Sequence, residues 1–226
     1  MLQHHQTNLN LLLTETKYGK FLIPSDDPTI GRSLDMYGEY CDAEIDLLKG
    51  LLKPDSWFID IGANIGTHTV PISFVCERVI AFEPDIDNFN ILGKNVAGLC
   101  ALKNNVTCTK LALGKESKEV NTKFDFGKTL VVEGTGIKMQ DENTYADTFD
   151  YLKSLEYNIF WFPVKTFNSA NQKGQTKDIF GNGHGVINWV ASADELNTNL
   201  IPVVDRDDSV ERMVHRRKEN VGNNTK

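Results

Sequence analysis

The stretch FIDIGANIGTHT, residues 58–69, restricts the fold more than any other part of the chain. The run SWFIDIGA is short and nearly continuously apolar, as expected of a strand buried on both faces of a parallel sheet. Asp60 stands near its end, and Gly62 and Gly66 follow at GxxxG spacing before a helix from about Thr67. Glycines between a strand and a helix bring backbone, and the free N–H groups of the helix start, close to one point in space. The helix is expected to turn Val70 and Phe74 inward. Pro71 falls in its first turn, where a missing N–H does least harm.

The same alternation continues downstream. RVIAFEP reads as a second buried strand, DIDNFNILGKNVAGL as a helix with Phe89, Leu92, Val96 and Leu99 on one face, and NNVTCTKLALG as a third strand. Strand, helix, strand, helix and strand within about 55 residues imply right-handed crossovers and a parallel sheet, half of a Rossmann-like fold. Upstream, LNLLLTET and KFLIPS flank a Gly-containing turn and suit an N-terminal β-hairpin. CDAEIDLLKGLLKP places Ile45, Leu48 and Leu52 on one helical face, and Pro54 ends it. Beyond residue 115 the pattern offers one strand in TLVVEG and a helix in TYADTFDYLKSLEY, with Ala146, Phe149, Leu152 and Leu155 on one face. NIFWFPV and VINWVAS read as strands on either side of a loop rich in Gly and Asn. With no linker or repeat, residues 1–205 read as one domain: a hairpin extension to 38, a first half over 39–115 and a shorter half over 116–205. A charged tail occupies 206–226.

A net charge of −7 and a pI near 5.3 disfavour a nucleic-acid backbone as partner, because such binding is driven by clustered Lys and Arg. Cys41, Cys76, Cys100 and Cys108 show no CxxC pairing and sit in apolar segments, which suits reduced thiols in a cytoplasmic protein better than a zinc site. No metal cluster is visible, no signal peptide is recognisable, and no apolar run approaches the roughly 20 residues that span a bilayer. A soluble chain without a membrane partner is expected.

The dinucleotide fingerprint GxGxxG makes room for a pyrophosphate. Here the spacing is GxxxG, and a carboxylate at Asp60 is unhelpful beside a pyrophosphate. That disfavours a nicotinamide-dependent oxidoreductase. The carboxylate suits a ligand with a positively charged end. S-adenosylmethionine is one, with an ammonium, a sulfonium and a ribose free of phosphates. Glu83, at the end of the next strand and 17 residues past Gly66, can accept both ribose hydroxyls. The plainer alternative is a tight turn with two surface acids.

FIDIGANIGTHTV, VIAFEPDIDNFNILGKNV and NNVTCTKLALG resemble the FkbM family of S-adenosylmethionine-dependent methyltransferases. LDMYGEYCDAEIDLL resembles the family's lead-in helix, and YLKSLEYNIFWFPVKTFNSANQ through VINWVAS its C-terminal strands. The resemblance implies an α/β fold, a Rossmann-like methyltransferase sheet with helices on both faces. It implies that Gly62, Ala63, Asn64 and Gly66 line the cofactor, that Asp60 sits beneath its amino acid end, and that Glu83, followed by Pro84, holds the ribose. Glu39 and Tyr40 carry over from the Gly-Glu-Tyr of the lead-in. The family acts mostly as O-methyltransferases on hydroxyls of sugars or natural products, so the implied partner is a small-molecule or glycan acceptor.

The match breaks between Gly114 and Tyr151, an interval too short for the two central strands and the helix that the family carries there. TLVVEG echoes the first of those strands, with Val132 where an acid is usual. A sheet reduced in strand number, its gap closed by TLVVEG and NIFWFPV, is the favoured outcome; a catalytically inactive cofactor-binding remnant is the alternative. An exposed sheet edge would favour homo-oligomers. For a general base the candidates are His68 after the glycine loop, Glu133 in TLVVEG, and His184 in GNGHGV. The aromatics of FWF, 160–162, suit a core strand better than a sugar platform.

Overall fold

The computed structural model describes residues 9–99, 103–112, 129–133, 142–181, 185–196, 200–205, 207–209 and 212–214. The chain falls into two compact units, one formed by 1–120 with 165–184 and the other by 121–164 with 185–226.

In the first unit, β1 (Leu11–Thr16) and β2 (Gly19–Pro24) form the antiparallel hairpin. Gly19 takes a positive φ of 112°, which lets Thr16 pair with Gly19 across the turn at Lys17 and Tyr18. Helix α1 (Ile30–Tyr37) follows, its start held by Asp27 Oδ1, which accepts from the N–H groups of Thr29 and Ile30 at 2.8 and 3.0 Å. It ends at Gly38 in the left-handed region. Helix α2 (Asp42–Leu51) buries Ile45 and Leu48; Leu52 lies just past its end and is only half-buried. Strand β3 (Trp57–Ile61), helix α3 (Thr69–Ser73), strand β4 (Arg78–Phe82), helix α4 (Ile86–Leu99) and strand β5 (Val106–Thr109) complete the alternation read from the sequence. Asp85 caps α4 through Oδ1, accepting from the N–H groups of Asp87 and Asn88.

The sheet runs β3-β4-β5, all parallel, with Ile61, Phe82 and Thr109 in register at its carboxyl edge. This is the mixed α/β, Rossmann-like arrangement with an N-terminal hairpin that the sequence implies. Two local expectations fail. Trp57 and Ile61 are exposed, so β3 is not covered on both faces; among the described residues it pairs with β4 alone. Phe74, just past the end of α3 at Ser73, is exposed, whereas Val70 is fully buried.

Phe21, Ile23, Leu34, Ile65, Val70 and Ile91 form one core, so hairpin, α1, glycine loop, α3 and α4 share a single apolar interior. Asn95 of α4 crosses it. Its side chain is 2% exposed and accepts from Leu22 N–H at 2.8 Å while donating to the carbonyls of Leu22 at 3.0 Å and Ile65 at 2.8 Å. One amide therefore ties the hairpin and the glycine loop to the same helix.

In the second unit, β6 (Thr129–Glu133), α5 (Glu142–Ser154), β7 (Asn158–Lys165), β8 (Gly185–Ser192) and β9 (Ile201–Pro202) build a second sheet in the order β6-β8-β7-β9. TLVVEG and NIFWFPV thus pair in this sheet and not, among the described residues, with β3. The physical reason is alternation: β7 buries Ile159 and Trp161 between the more exposed Asn158, Phe160 and Phe162, the signature of a strand with one covered face. Trp161 stacks edge-on against Trp189 at 5.8 Å, beside Phe149 and Leu152 of α5. Its indole N–H donates to buried Asp208 at 3.2 Å. The middle aromatic of FWF is therefore core.

Candidate functional site

The glycine loop is built by hydrogen bonds to the end of β4. Gly62 N–H and Ala63 N–H both donate to the Phe82 carbonyl at 2.9 Å. Gly62 takes φ 82°, Asn64 φ 49° and Gly66 φ 98°, so three of five consecutive residues lie in the left-handed region. The two glycines are needed for different reasons. A Cβ on Gly66 would stand 3.0 Å from Leu92 Cδ1 of α4, whereas a Cβ on Gly62 would meet no atom within 4 Å. Gly66 fits packing; Gly62 faces open space.

Glu83 follows β4 and is 5% exposed. Its Oε2 accepts from Asn64 N–H at 2.8 Å and its Oε1 from Asp85 N–H at 2.9 Å. One carboxylate thereby holds the glycine loop to the start of α4, with lone pairs on both oxygens to spare. Pro84, next to it, is exposed. Ile61, Ile86 and Leu111, which follow or end the three parallel strands, are 60%, 48% and 43% exposed. Apolar side chains thus stand open at the carboxyl edge of the sheet, where open α/β folds bind ligands.

Further carboxylates lie on β3, on α2 and at the corner before α2. Asp60 Oδ2 accepts from Thr69 Oγ1 at 2.5 Å. Desolvation by the surrounding protein pushes its carboxyl above the usual range, opposed by the charge of His68 and the bonds from Thr69. His68 Nε2 lies 3.3 Å from Glu44 Oε2 of α2. Asp42 receives Lys17 Nζ and the Tyr18 hydroxyl, both at 2.5 Å, and burial together with that carboxylate raises the Tyr18 phenol. Glu39, 3% exposed, is raised by burial above all, and the amide of Asn168 draws it back. Tyr40 is half-buried and packs against the core that contains Ile65 and Val70.

Asp60, Gly62, Ala63, Asn64, Gly66 and Glu83 therefore lie around one turn of backbone, Ala63 and Gly66 facing the interior and Gly62 open. Of the three base candidates, His68 alone has described surroundings. Glu133 ends β6 in the second unit, its side chain outside the described residues, and His184 lies outside them too. Among the described residues no group of three or more His, Cys, Asp or Glu could hold a metal, and no helix is long and apolar enough to cross a membrane. Cys41 and Cys76 are buried and Cys108 is half-buried; Cys100 lies outside the described residues.

Sequence reasoning missed the segment 166–181. It belongs to the first unit and binds the corner between α1 and α2. Asn168 Nδ2 donates to Glu39 Oε1 at 2.9 Å and Gln172 N–H to Glu39 Oε2 at 3.3 Å. Lys173 N–H donates to the Tyr37 carbonyl, and Ile179 N–H to the Tyr37 hydroxyl at 2.7 Å. The Tyr37 ring, fully buried, sits 5.4 Å from Phe167 and 5.9 Å from Phe180. The polar composition of the segment was the available signal, and it reads equally well as an unattached loop.

No family model and no curated relative matches this sequence. Solved structures do resemble it. The complex of aTrm5 with tRNALeu aligns over 83% of this chain and 54% of its own, at 10% identity and a TM-score of 0.50. M. jannaschii TYW2 in complex with AdoMet aligns over 82% of this chain and 86% of its own, at 15% identity and a TM-score of 0.48. A tRNA methyltransferase from M. jannaschii aligns over 84% and 59%, at 11% identity and a TM-score of 0.48. At these identities the likeness is one of fold, a Rossmann-like α/β arrangement.

Proposed function

We propose that the first unit binds S-adenosylmethionine and that the protein transfers its methyl group to a hydroxyl of a sugar or small natural product, in the manner of the FkbM family that its motifs resemble. The observation that carries this reading is the pair Gly62 and Glu83. The first leaves open space where backbone can approach a ligand, and the second puts a buried carboxylate beside that opening. The chemistry of the surroundings fits the group. Glu83 can accept ribose hydroxyls, Asp60 and Glu44 favour a cationic end, and the exposed apolar side chains at the sheet edge suit an aromatic base. A pyrophosphate would meet the same carboxylates as repulsion, which argues against a nicotinamide cofactor. The AdoMet bound in TYW2 is consistent with this choice.

When bound, the cofactor supplies an electrophilic methyl group, and displacement at such a centre gains most from alignment. The chain's own residues supply that alignment: one carboxylate, Glu83, fixes the loop and the approach to α4 and is itself the ribose acceptor. A hydroxyl acceptor also needs a group to take its proton. We assign that role to His68, with Glu44 orienting its ring. The expectation that nucleic acid is no partner stands against the tRNA of the aTrm5 complex; the net charge of −7 keeps a small acceptor first. The test is calorimetric titration with S-adenosylmethionine, S-adenosylhomocysteine and NAD, followed by label transfer to a panel of glycans, small alcohols and tRNA. Binding of NAD and not of the adenosyl ligands would overturn the proposal. Binding without transfer to any acceptor would favour the inactive remnant.

A further inference from the structure

Glu39 is among the most buried carboxylates of the described residues, yet both of its oxygens are taken by a segment more than a hundred residues away. That segment is ordered by itself as well. Asn171, 5% exposed, donates to the carbonyls of Asn168 at 2.7 Å and Gln175 at 2.8 Å and accepts from Gln175 N–H at 2.9 Å, while Gly174 turns the chain at φ 65°. Lys173 Nζ adds bonds to the Asp35 carbonyl at 2.6 Å and Thr14 Oγ1 at 2.8 Å. On the other side of Glu39, Leu34 and Tyr40 pack against the core that holds Ile65 of the glycine loop and Val70 of α3. The Ser33 hydroxyl donates to the Glu39 carbonyl at 2.7 Å. The corner that carries Glu39 thus touches the strap on one face and the glycine-loop core on the other.

We propose that Glu39 is a positioning residue and not a cofactor ligand: its carboxylate anchors the strap 166–181 as a preformed wall of the first-unit site, so that occupancy of the glycine loop and order in the strap are coupled through the corner 37–44. The coupling rests on the reading of that unit as the cofactor-binding body; the anchoring does not. An amide in place of Glu39 must present an N–H to one of two donors, and a carboxylate in place of Asn168 faces the Glu39 carboxylate. Exchanging both residues restores donor against acceptor with chain lengths unchanged, since Gln at 39 donates to Asp at 168 and still accepts from Gln172 N–H.

The experiment is hydrogen exchange on the full chain at the amides of Lys173, Gln175 and Ile179, with and without saturating S-adenosylmethionine. Glu39→Gln and Asn168→Asp should each speed strap exchange by about tenfold or more, and the double variant should return it to within about threefold of the parent. Cofactor should slow exchange at 62–66 and in the strap of the parent. In each single variant it should slow exchange at 62–66 alone. Single variants as protected as the parent, or a double variant as exposed as the singles, would overturn the anchor. Protection at 62–66 without any in the parent's strap would overturn the coupling while leaving cofactor binding intact. No protection anywhere would overturn the cofactor reading and with it the coupling, while the exchange rates of the variants would still decide the anchor.

Discussion

Asn95 offers the sharpest test of how the site is held. Replacing it by Ala leaves Leu22 N–H, the Leu22 carbonyl and the Ile65 carbonyl without the partners they have in an interior where the side chain is 2% exposed. At about 1 kcal/mol net for each bond, the loss is about 3 kcal/mol. For a chain of this size that corresponds to a fall in Tm of roughly 6–12 °C. Urea unfolding followed by circular dichroism measures it, with the m-value unchanged. Asn95→Asp is the control. It can still accept from Leu22 N–H, but it loses both donated bonds and buries a charge, so it should cost at least as much as Ala. A loss below about 0.5 kcal/mol for Ala would refute the bridge. So would an Asp variant more stable than the Ala variant, because the donated bonds are then not the ones that matter.

The glycine loop gives two contrasting substitutions. Gly66→Ala meets both an unfavourable φ and Leu92, and should lower stability by about 2 kcal/mol or more. Gly62→Ala meets only the φ cost of about 1 kcal/mol and should instead show its larger effect in cofactor affinity by calorimetry. Equal effects on stability would contradict the assignment of open space to Gly62. Glu83→Gln places an NH2 against one of two backbone donors, so S-adenosylmethionine affinity should fall about tenfold, or about 1.4 kcal/mol, together with Tm; unchanged values of both would remove Glu83 from the site. Asp60→Asn should stabilise the ligand-free protein at neutral pH while weakening cofactor binding. Burial raises the folded carboxyl above its unfolded value, so the folded state holds the proton longer and stability declines as pH climbs through the folded pKa. The advantage of Asn should therefore shrink toward zero below about pH 4, near the unfolded value. A constant difference across pH would show that the Asp60 charge is not its source.

The parallel half of the fold was legible because it is written in local terms. Continuous apolar runs, a helical stripe through Phe89 and Leu92, and glycines at a strand end each announce themselves within a few residues. The same holds for the hairpin, where Gly19 supplies the turn. Residues that act across sequence were not legible. Asn95 reads as an exposed helix residue, since nothing near it reveals that two backbone segments need its amide. Helix α1 carries only the short stripe Ile30, Leu34 and Tyr37, and its start rests on the cap at Asp27. The partners of β6 and β7 were misjudged because strand alternation tells which face is covered and not which strand lies alongside. In the candidate site, the positions of Asp60 and Glu83 at strand ends were legible, but the Glu83 bonds to Asn64 and Asp85, and the approach of His68 to Glu44, depend on backbone geometry that a sequence does not display.

The strap also fixes an order of events during synthesis. Residues 1–120 leave the ribosome before the strap that completes their unit, and the intervening 121–164 take roughly 2–9 s to make at about 5–20 residues per second. During that delay Glu39 and Tyr37 must stay hydrated or find other company, because Asn168, Gln172 and Ile179 have not yet been made. The first unit therefore matures only after β7 has emerged. A fragment cut at residue 120 would retain every glycine-loop residue and still reproduce the nascent chain, with a carboxylate waiting for its amide.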